Sequence, residues 1–250
     1  MVSSVQVAVK VPFHNAIASK DGTIVVFAST KNAYVLRVET GTVAALESKG
    51  HIRAMAYSET RRILACVTDS KELALFDVDS GTLVNTRQVW KRPNCVAFTQ
   101  DSQKIVIGDK FGDVYSYHID NVDIAATLLL GHVSIVTDFA WTNDFKQLIT
   151  ADRDEKLRVN RYPETFILDQ FLLGHLEFVS RIVVVAGNDN VAISGGGDPF
   201  LMVWDCKTGQ PKQKFDFVQA LGGLPEGVQP CVTNLRYDQK NELVAVTLEK

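Results

Sequence analysis

The sequence predicts an all-β protein, and within that class a β-propeller made of four-stranded blades. Three observations predict it. A strand type with anchors near Leu36, Phe76, Tyr117, Asn160 and Trp204 recurs at gaps of about 40 to 44 residues, the period of one blade. Short apolar runs alternate with polar turns, and helical periodicity is nearly absent. One stretch, Leu172–Asp205, opens on Gly174-His175, closes on Trp204-Asp205 and holds two apolar runs between them. That is the pattern of one complete blade.

The Gly-His and Trp-Asp pairs mark the blades as WD repeats. Residues 5–11 alternate with period two and read as one strand, the strand that closes the ring. The chain then repeats over blades at about 13–50, 51–90, 91–131, 132–174 and 175–217, with a partial sixth at 231–250. The whole chain, 1–250, reads as one domain. Inner strands are expected at 17–22, 54–60, 95–101, 137–144, 181–189 and 233–239. Second strands follow at once: IVVFAS, ILACVTD, KIVIGD, QLITAD, VAISGG and LVAVTL. Third strands run into a glycine turn at 33–41, 73–81 and 201–209, while 114–121 and 157–164 fill the same slot without glycine. Outer strands such as 82–89 and 166–173 follow. Val218–Pro230, with three Gly and two Pro, reads as a long loop. Five blades and two strands of a sixth leave the ring open. An open blade exposes strand edges, so the reading is a truncated or spliced product, an unusual closure, or a partner over the gap.

A length of 250 residues with 46% hydrophobic content is enough for a full core. The net charge of −3 excludes a uniformly basic nucleic-acid binder, so any RNA contact must come from a local patch or a partner. Cys66, Cys95, Cys206 and Cys231 show no Cys-x-x-Cys spacing and read as reduced, mostly buried thiols of an intracellular protein. No apolar run approaches the length of a membrane span, and the N-terminus lacks the apolar block of a signal peptide.

His175, Ser194, Asp198 and Trp204 fall where a WD blade places a hydrogen-bonded tetrad. A buried aspartate needs a partner, and imidazole and hydroxyl supply it. The same residue types could form a hydrolase triad, but no G-x-S-x-G elbow is present. The preceding blade keeps His132 and Thr150, with Asp154 as its aspartate and Asn160 in the Trp slot. Gly195-Gly196-Gly197 lacks the Lys-Ser/Thr of a phosphate loop and reads as a strand turn. Asp152 and Asp154 lack a third acidic ligand, so charge pairing is expected there rather than a metal. No glycine pattern opens a helix for a nucleotide or S-adenosylmethionine. The basic pairs Arg61-Arg62 and Lys91-Arg92 read as loop residues without aromatic interleaving.

Residues 151–162, ADRDEKLRVNRY, carry seven charges: Asp152, Arg153, Asp154, Glu155, Lys156, Arg158 and Arg161. One reading is a solvated turn with internal ion pairs, each worth about 0–1 kcal/mol. The other is a docking surface for carboxylates of a partner. Strand alternation puts Lys156 and Arg158 on one side.

ADRDEKLRVNRYP, followed by LLGHLEFVSRI (172–182), resembles the non-catalytic WD-repeat subunit of the eukaryotic tRNA (guanine-N7)-methyltransferase. That family carries an A-D-R-D-E-K-I/L-R-V segment and then G-H-x-x-F-V-S/T in the same order, and 130–156 is similar to its preceding blade. The resemblance implies a nuclear scaffold without chemistry or cofactor of its own, built on a seven-bladed propeller. It would form a heterodimer with a catalytic subunit that uses S-adenosylmethionine to methylate N7 of a guanine in the tRNA variable loop. It would meet tRNA through that complex and no membrane. Carried over, the partner-binding residues are Arg153, Lys156 and Arg158, with Glu177, Phe178 and Arg181 from the next blade. The alternatives are a general WD-repeat adaptor, such as a substrate receptor of a ubiquitin ligase, and an enzyme acting through Ser194.

Overall fold

Strands that read as unbroken apolar runs are buried on both faces. In ILACVT (Ile63–Thr68) every residue is buried. Leu64 and Cys66 pack with Val26, Ile52 and Phe76, whereas Ala65 and Val67 pack with Phe98, Ile105 and Tyr115. Alternate side chains of one strand thus enter two different layers, which is why period-two polarity vanishes from the sequence. The computed structural model describes residues 13–187, 191–223 and 228–249. The strand expected at 5–11 lies outside the described residues.

Among the described residues the strands form six sheets, each pairing consecutive strands. They are β1–β4 (Asn15–Ala18, Ile24–Ser29, Asn32–Arg37, Thr42–Glu47) and β5–β8 (Ile52–Ser58, Ile63–Thr68, Glu72–Asp77, Leu83–Gln88). Next come β9–β12 (Pro93–Phe98, Lys104–Asp109, Asp113–His118, Thr127–Gly131) and β13–β16 (Val136–Trp141, Gln147–Asp152, Leu157–Arg161, Leu168–Leu172). The last are β17–β20 (Val179–Val184, Val191–Gly196, Phe200–Asp205, Pro211–Asp216) and the pair β21–β22 (Cys231–Asp238, Leu243–Glu249). Two compact units result: one runs to Ile107 and takes in Tyr115–Thr127, the other takes Gly108–Val114 and the chain from Leu128. In the second unit, Ala192 of β18 joins Ile149, Leu172 and Trp204, while its neighbour Ile193 joins Leu201, Phe217 and Val232. Each large side chain so buried contributes about 1.5–3 kcal/mol.

The inner strands begin and end earlier than the sequence suggested, because a side-chain turn ends them. Ser19, Thr99 and Thr142 each donate a hydroxyl to the aspartate two residues on, Asp21, Asp101 and Asp144, at 2.5, 2.6 and 2.8 Å. Those carboxylates then accept the backbone N–H of Thr23, Gln103 and Lys146. Such local bonds replace the ladder and turn the chain into the second strand. Gly41, Gly81 and Gly209, the expected turn glycines, all have positive φ.

One segment departs from the loop expected at 218–230. Phe217–Ala220 is a short helix, α1. Asp216 caps it by accepting from Gln219 N at 2.9 Å, and Phe217 packs with Leu201, Val232 and Leu235. A single turn is too short to show periodicity. All four cysteines are free, three of them buried; burial pushes the Cys66 thiol up and the Cys206 thiol to about 12.

Candidate functional site

In the fifth sheet, Gly174-His175 follows β16, Ser194 sits on β18, Asp198 lies in the turn beyond it, and Trp204 sits on β19. His175 Nδ1 lies 2.7 Å from Asp198 Oδ2, and its Nε2 lies 2.7 Å from Ser194 Oγ. Trp204 Nε1 donates to the same Ser194 oxygen at 2.7 Å. This pattern sets the tautomer: Nδ1–H donates to the carboxylate, and Nε2 accepts the serine hydroxyl. Asp198 also takes the N–H groups of Leu176 and Glu177. All four side chains are buried. Ser194 Oγ is held between imidazole and indole, so no substrate can reach it, and the hydrolase reading fails on access. Burial pushes the His175 imidazole below its ordinary value, and Asp198 offsets part of that. The triple glycine is a packing requirement: a Cβ on Gly196 would come within 1.8 Å of the Phe178 carbonyl oxygen.

The fourth sheet builds the same kind of network with a different aspartate. His132 Nε2 lies 2.7 Å from Thr150 Oγ1, as the sequence suggests. Its Nδ1, however, pairs with Asp152 Oδ2 at 2.9 Å, where Asp154 was expected. Asp152 ends β14 opposite Val136, in the slot that Gly196 occupies opposite Val179. A carboxylate at this strand end already reaches the imidazole, whereas a glycine leaves the task to the turn. Asp152 Oδ1 accepts the N–H of Asp154 at 3.0 Å and of Lys156 at 3.1 Å, which closes the turn with Glu155 at positive φ. Burial would push the Asp152 carboxyl up, but the His132 and backbone hydrogen bonds outweigh it and hold it below the ordinary range. Asp154, displaced from the network, accepts from Ser134 Oγ instead. Asn160, in the Trp slot, donates to Thr165 O at 2.9 Å and anchors the next loop.

That turn carries the charged segment. Val133, Asp152, Asp154, Lys156, Arg158, Phe171 and Leu173 line a recess of about 310 Å³. Arg158 and Phe171 are cross-strand partners, and the guanidinium lies 5.8 Å from the ring centroid. Arg158 donates to Gly131 O and Lys156 to Asp154 O, both backbone carbonyls. Among the described residues, neither these cations nor Arg153 has a carboxylate within 4.0 Å. The internal ion pairs of the solvated-turn reading do not form at these three positions. Arg158 Nε is buried with no acceptor among the described residues. Val133, Phe171 and Leu173 are exposed at 93%, 44% and 60%, giving the cations an apolar frame.

The remaining candidates lie apart from this recess. Arg153 is exposed on the turn, outside the lining. Glu177 and Phe178 follow His175 and lie against Gly197. Arg181 on β17 faces Asp138 of β13, whose carboxyl is pushed up by burial in spite of that cation. The apolar frame was not picked out in the sequence. Its signal was there: Phe171 near the end of outer strand β16 and Leu173 just beyond it are apolar where polar residues are the norm. The basic pair Arg61-Arg62 is engaged, Arg61 with Asp120 and Arg62 with Asp79, through two hydrogen bonds each.

Comparison with known proteins places the sequence in a family. The family described as the tRNA methyltransferase TRM82 WD40 domain matches residues 29–123 and 118–250. A relative from Kluyveromyces lactis named tRNA (guanine-N(7)-)-methyltransferase non-catalytic subunit TRM82 is 37% identical over 187 residues, 68% of this chain and 42% of the relative. The subunit of the same name from Saccharomyces cerevisiae is 39% identical over 171 residues, 64% of this chain and 38% of its own length. The Mus musculus non-catalytic subunit WDR4 is 38% identical over 180 residues, 72% and 43%. The matched region thus spans roughly two fifths of these relatives. A chain in a crystal structure of the mitotic checkpoint complex superposes with a TM-score of 0.79 at 21% identity, covering 94% of this chain and 71% of that one. At that identity the likeness shows the fold alone, a WD-repeat β-propeller.

Proposed function

The chain belongs to the tRNA methyltransferase TRM82 WD40 domain family, and from that premise we propose that it is a non-catalytic scaffold for a tRNA (guanine-N7)-methyltransferase. In this reading it forms a heterodimer with the catalytic subunit and stabilises it for N7-methylguanosine formation in the tRNA variable loop, in the nucleus. S-adenosylmethionine binds the catalytic subunit, and tRNA is met through the complex. The observation that carries the reading is the recess beside the fourth sheet. Lys156 and Arg158 sit there beside Val133, Phe171 and Leu173, and among the described residues neither has a carboxylate within 4.0 Å, although Asp152 and Asp154 also line the recess. Cations left in this state are complementary to an acidic side chain flanked by apolar ones, and pairing across a desolvated interface is where a guanidinium fork contributes most.

The test is co-purification of the chain with identification of what travels with it. A methyltransferase is expected, and the double variant Lys156→Glu/Arg158→Glu is expected to lose it while its melting temperature stays within a few degrees of wild type. Retention of the methyltransferase by the double variant would remove the recess from the interface. Enrichment of ubiquitin-ligase components instead would favour the adaptor reading.

A further inference from the structure

A second surface, in the first unit, combines aromatic and cationic side chains. Trp90 follows β8 and is 60% exposed. Its ring packs against Tyr115, with centroids 5.2 Å apart and planes tilted by 54°. Tyr115 in turn neighbours Tyr117 at 6.5 Å. Lys91 and Arg92 continue the same loop, with Lys91 exposed. Val89 N donates to Lys71 O at 2.8 Å, which fastens the exposed Lys71 turn beside Trp90. On β8, Arg87 bonds the His118 carbonyl oxygen, and among the described residues it has no carboxylate within 4.0 Å.

An indole left this open forgoes burial that a core position would supply. Its ring also packs at a tilt against Tyr115, which leaves most of the indole open to solvent. Trp90 directly precedes Lys91-Arg92 in the chain, whereas Tyr115 reaches the loop only through the fold. An exposed indole with cations on its own loop and on the adjoining turn suits an unpaired nucleobase and its two flanking phosphates. We propose that Trp90 is a stacking platform for an unpaired base of RNA, with Lys71, Lys91 and Arg92 placed for the adjoining phosphates.

The choice of RNA over another polyanion rests on the methyltransferase reading above, so the test uses this chain without any catalytic subunit. A labelled single-stranded RNA of about ten nucleotides, within the usual site size for such platforms, is titrated with the chain. Binding is followed by anisotropy and tryptophan emission. Indole quenching is expected. Trp90→Ala should weaken binding about ten-fold or more, while Trp90→Phe keeps most of it. Lys91→Glu/Arg92→Glu should weaken binding and reduce the slope of log affinity against log salt by about 1.4, the share of two phosphate contacts on a single strand. Unchanged affinity in Trp90→Ala overturns the proposal. So does equal competition by a polyglutamate peptide, which would mark the surface as one for acidic protein. Loss of methyltransferase co-purification in Trp90→Ala would also overturn it, by placing Trp90 at the subunit interface.

Discussion

Asp152 and Asp154 stand two positions apart in the same turn, yet their environments are opposite. Asp152 is buried and bonded to His132 and two backbone N–H groups; Asp154 is exposed and meets one serine. Removing charge from a buried carboxylate with this many donors costs about 2–3 kcal/mol, whereas an exposed one stays within about 0.5 kcal/mol. Asp152→Asn should therefore lower the unfolding free energy clearly, and Asp154→Asn should leave it nearly unchanged, in paired denaturant titrations. The reverse order would restore Asp154 to the network. Sequence reasoning chose Asp154 because it aligns with Asp198. What it could not weigh is that Asp152 occupies a slot filled by glycine in the fifth sheet, so a carboxylate there reaches the imidazole first.

At the scale of the element, the buried histidine network ties the loop after β16 to β18, the following turn and β19, and it makes the fifth sheet sensitive to acid. His175 has a folded value below 6.5 because it is buried. As pH falls below 6.5, the unfolded chain takes up a proton that folded His175 resists. Its contribution is thus complete above that pH and declines below it. Asp152, held below the ordinary carboxylate range, loses stability in the same direction at lower pH still. Thermal unfolding from about pH 8 to about pH 5 should show a plateau above about pH 7 and a falling melting temperature below about 6.5. A melting temperature that rises on acidification across that window would contradict the assignment. The second strands were legible to the residue in the sequence at IVVFAS, KIVIGD, QLITAD and VAISGG. The inner strands were not, because Ser19, Thr99 and Thr142 end them through side-chain bonds that resemble ordinary strand residues in the sequence. Helix α1 was missed because one buried phenylalanine and one capping aspartate carry no period.

For the whole molecule, a net charge of −3 coexists with Lys156 and Arg158, which among the described residues have no carboxylate within 4.0 Å. If Lys156 and Arg158 meet an acidic partner, association should be steered by charge. Its rate constant should then fall as ionic strength rises from about 0.05 to 0.5 M, with dissociation changing less, because the screening length shrinks below the approach distance. Rapid-mixing or surface-binding kinetics with the catalytic subunit would show this; an association rate independent of salt would argue for an apolar interface alone. The sequence by itself determined the blade period and the strands buried on both faces, and it placed the charged segment, since these depend on residue order and alternation. Only the tertiary structure decided which aspartate completes the fourth network and that Arg61 and Arg62 are paired while Lys156 and Arg158 are not. It also decided that Phe171 and Leu173 frame those cations and that Tyr115 supports Trp90. Pairing and exposure depend on distance in space, and Arg61 meets Asp120 across 59 positions of chain.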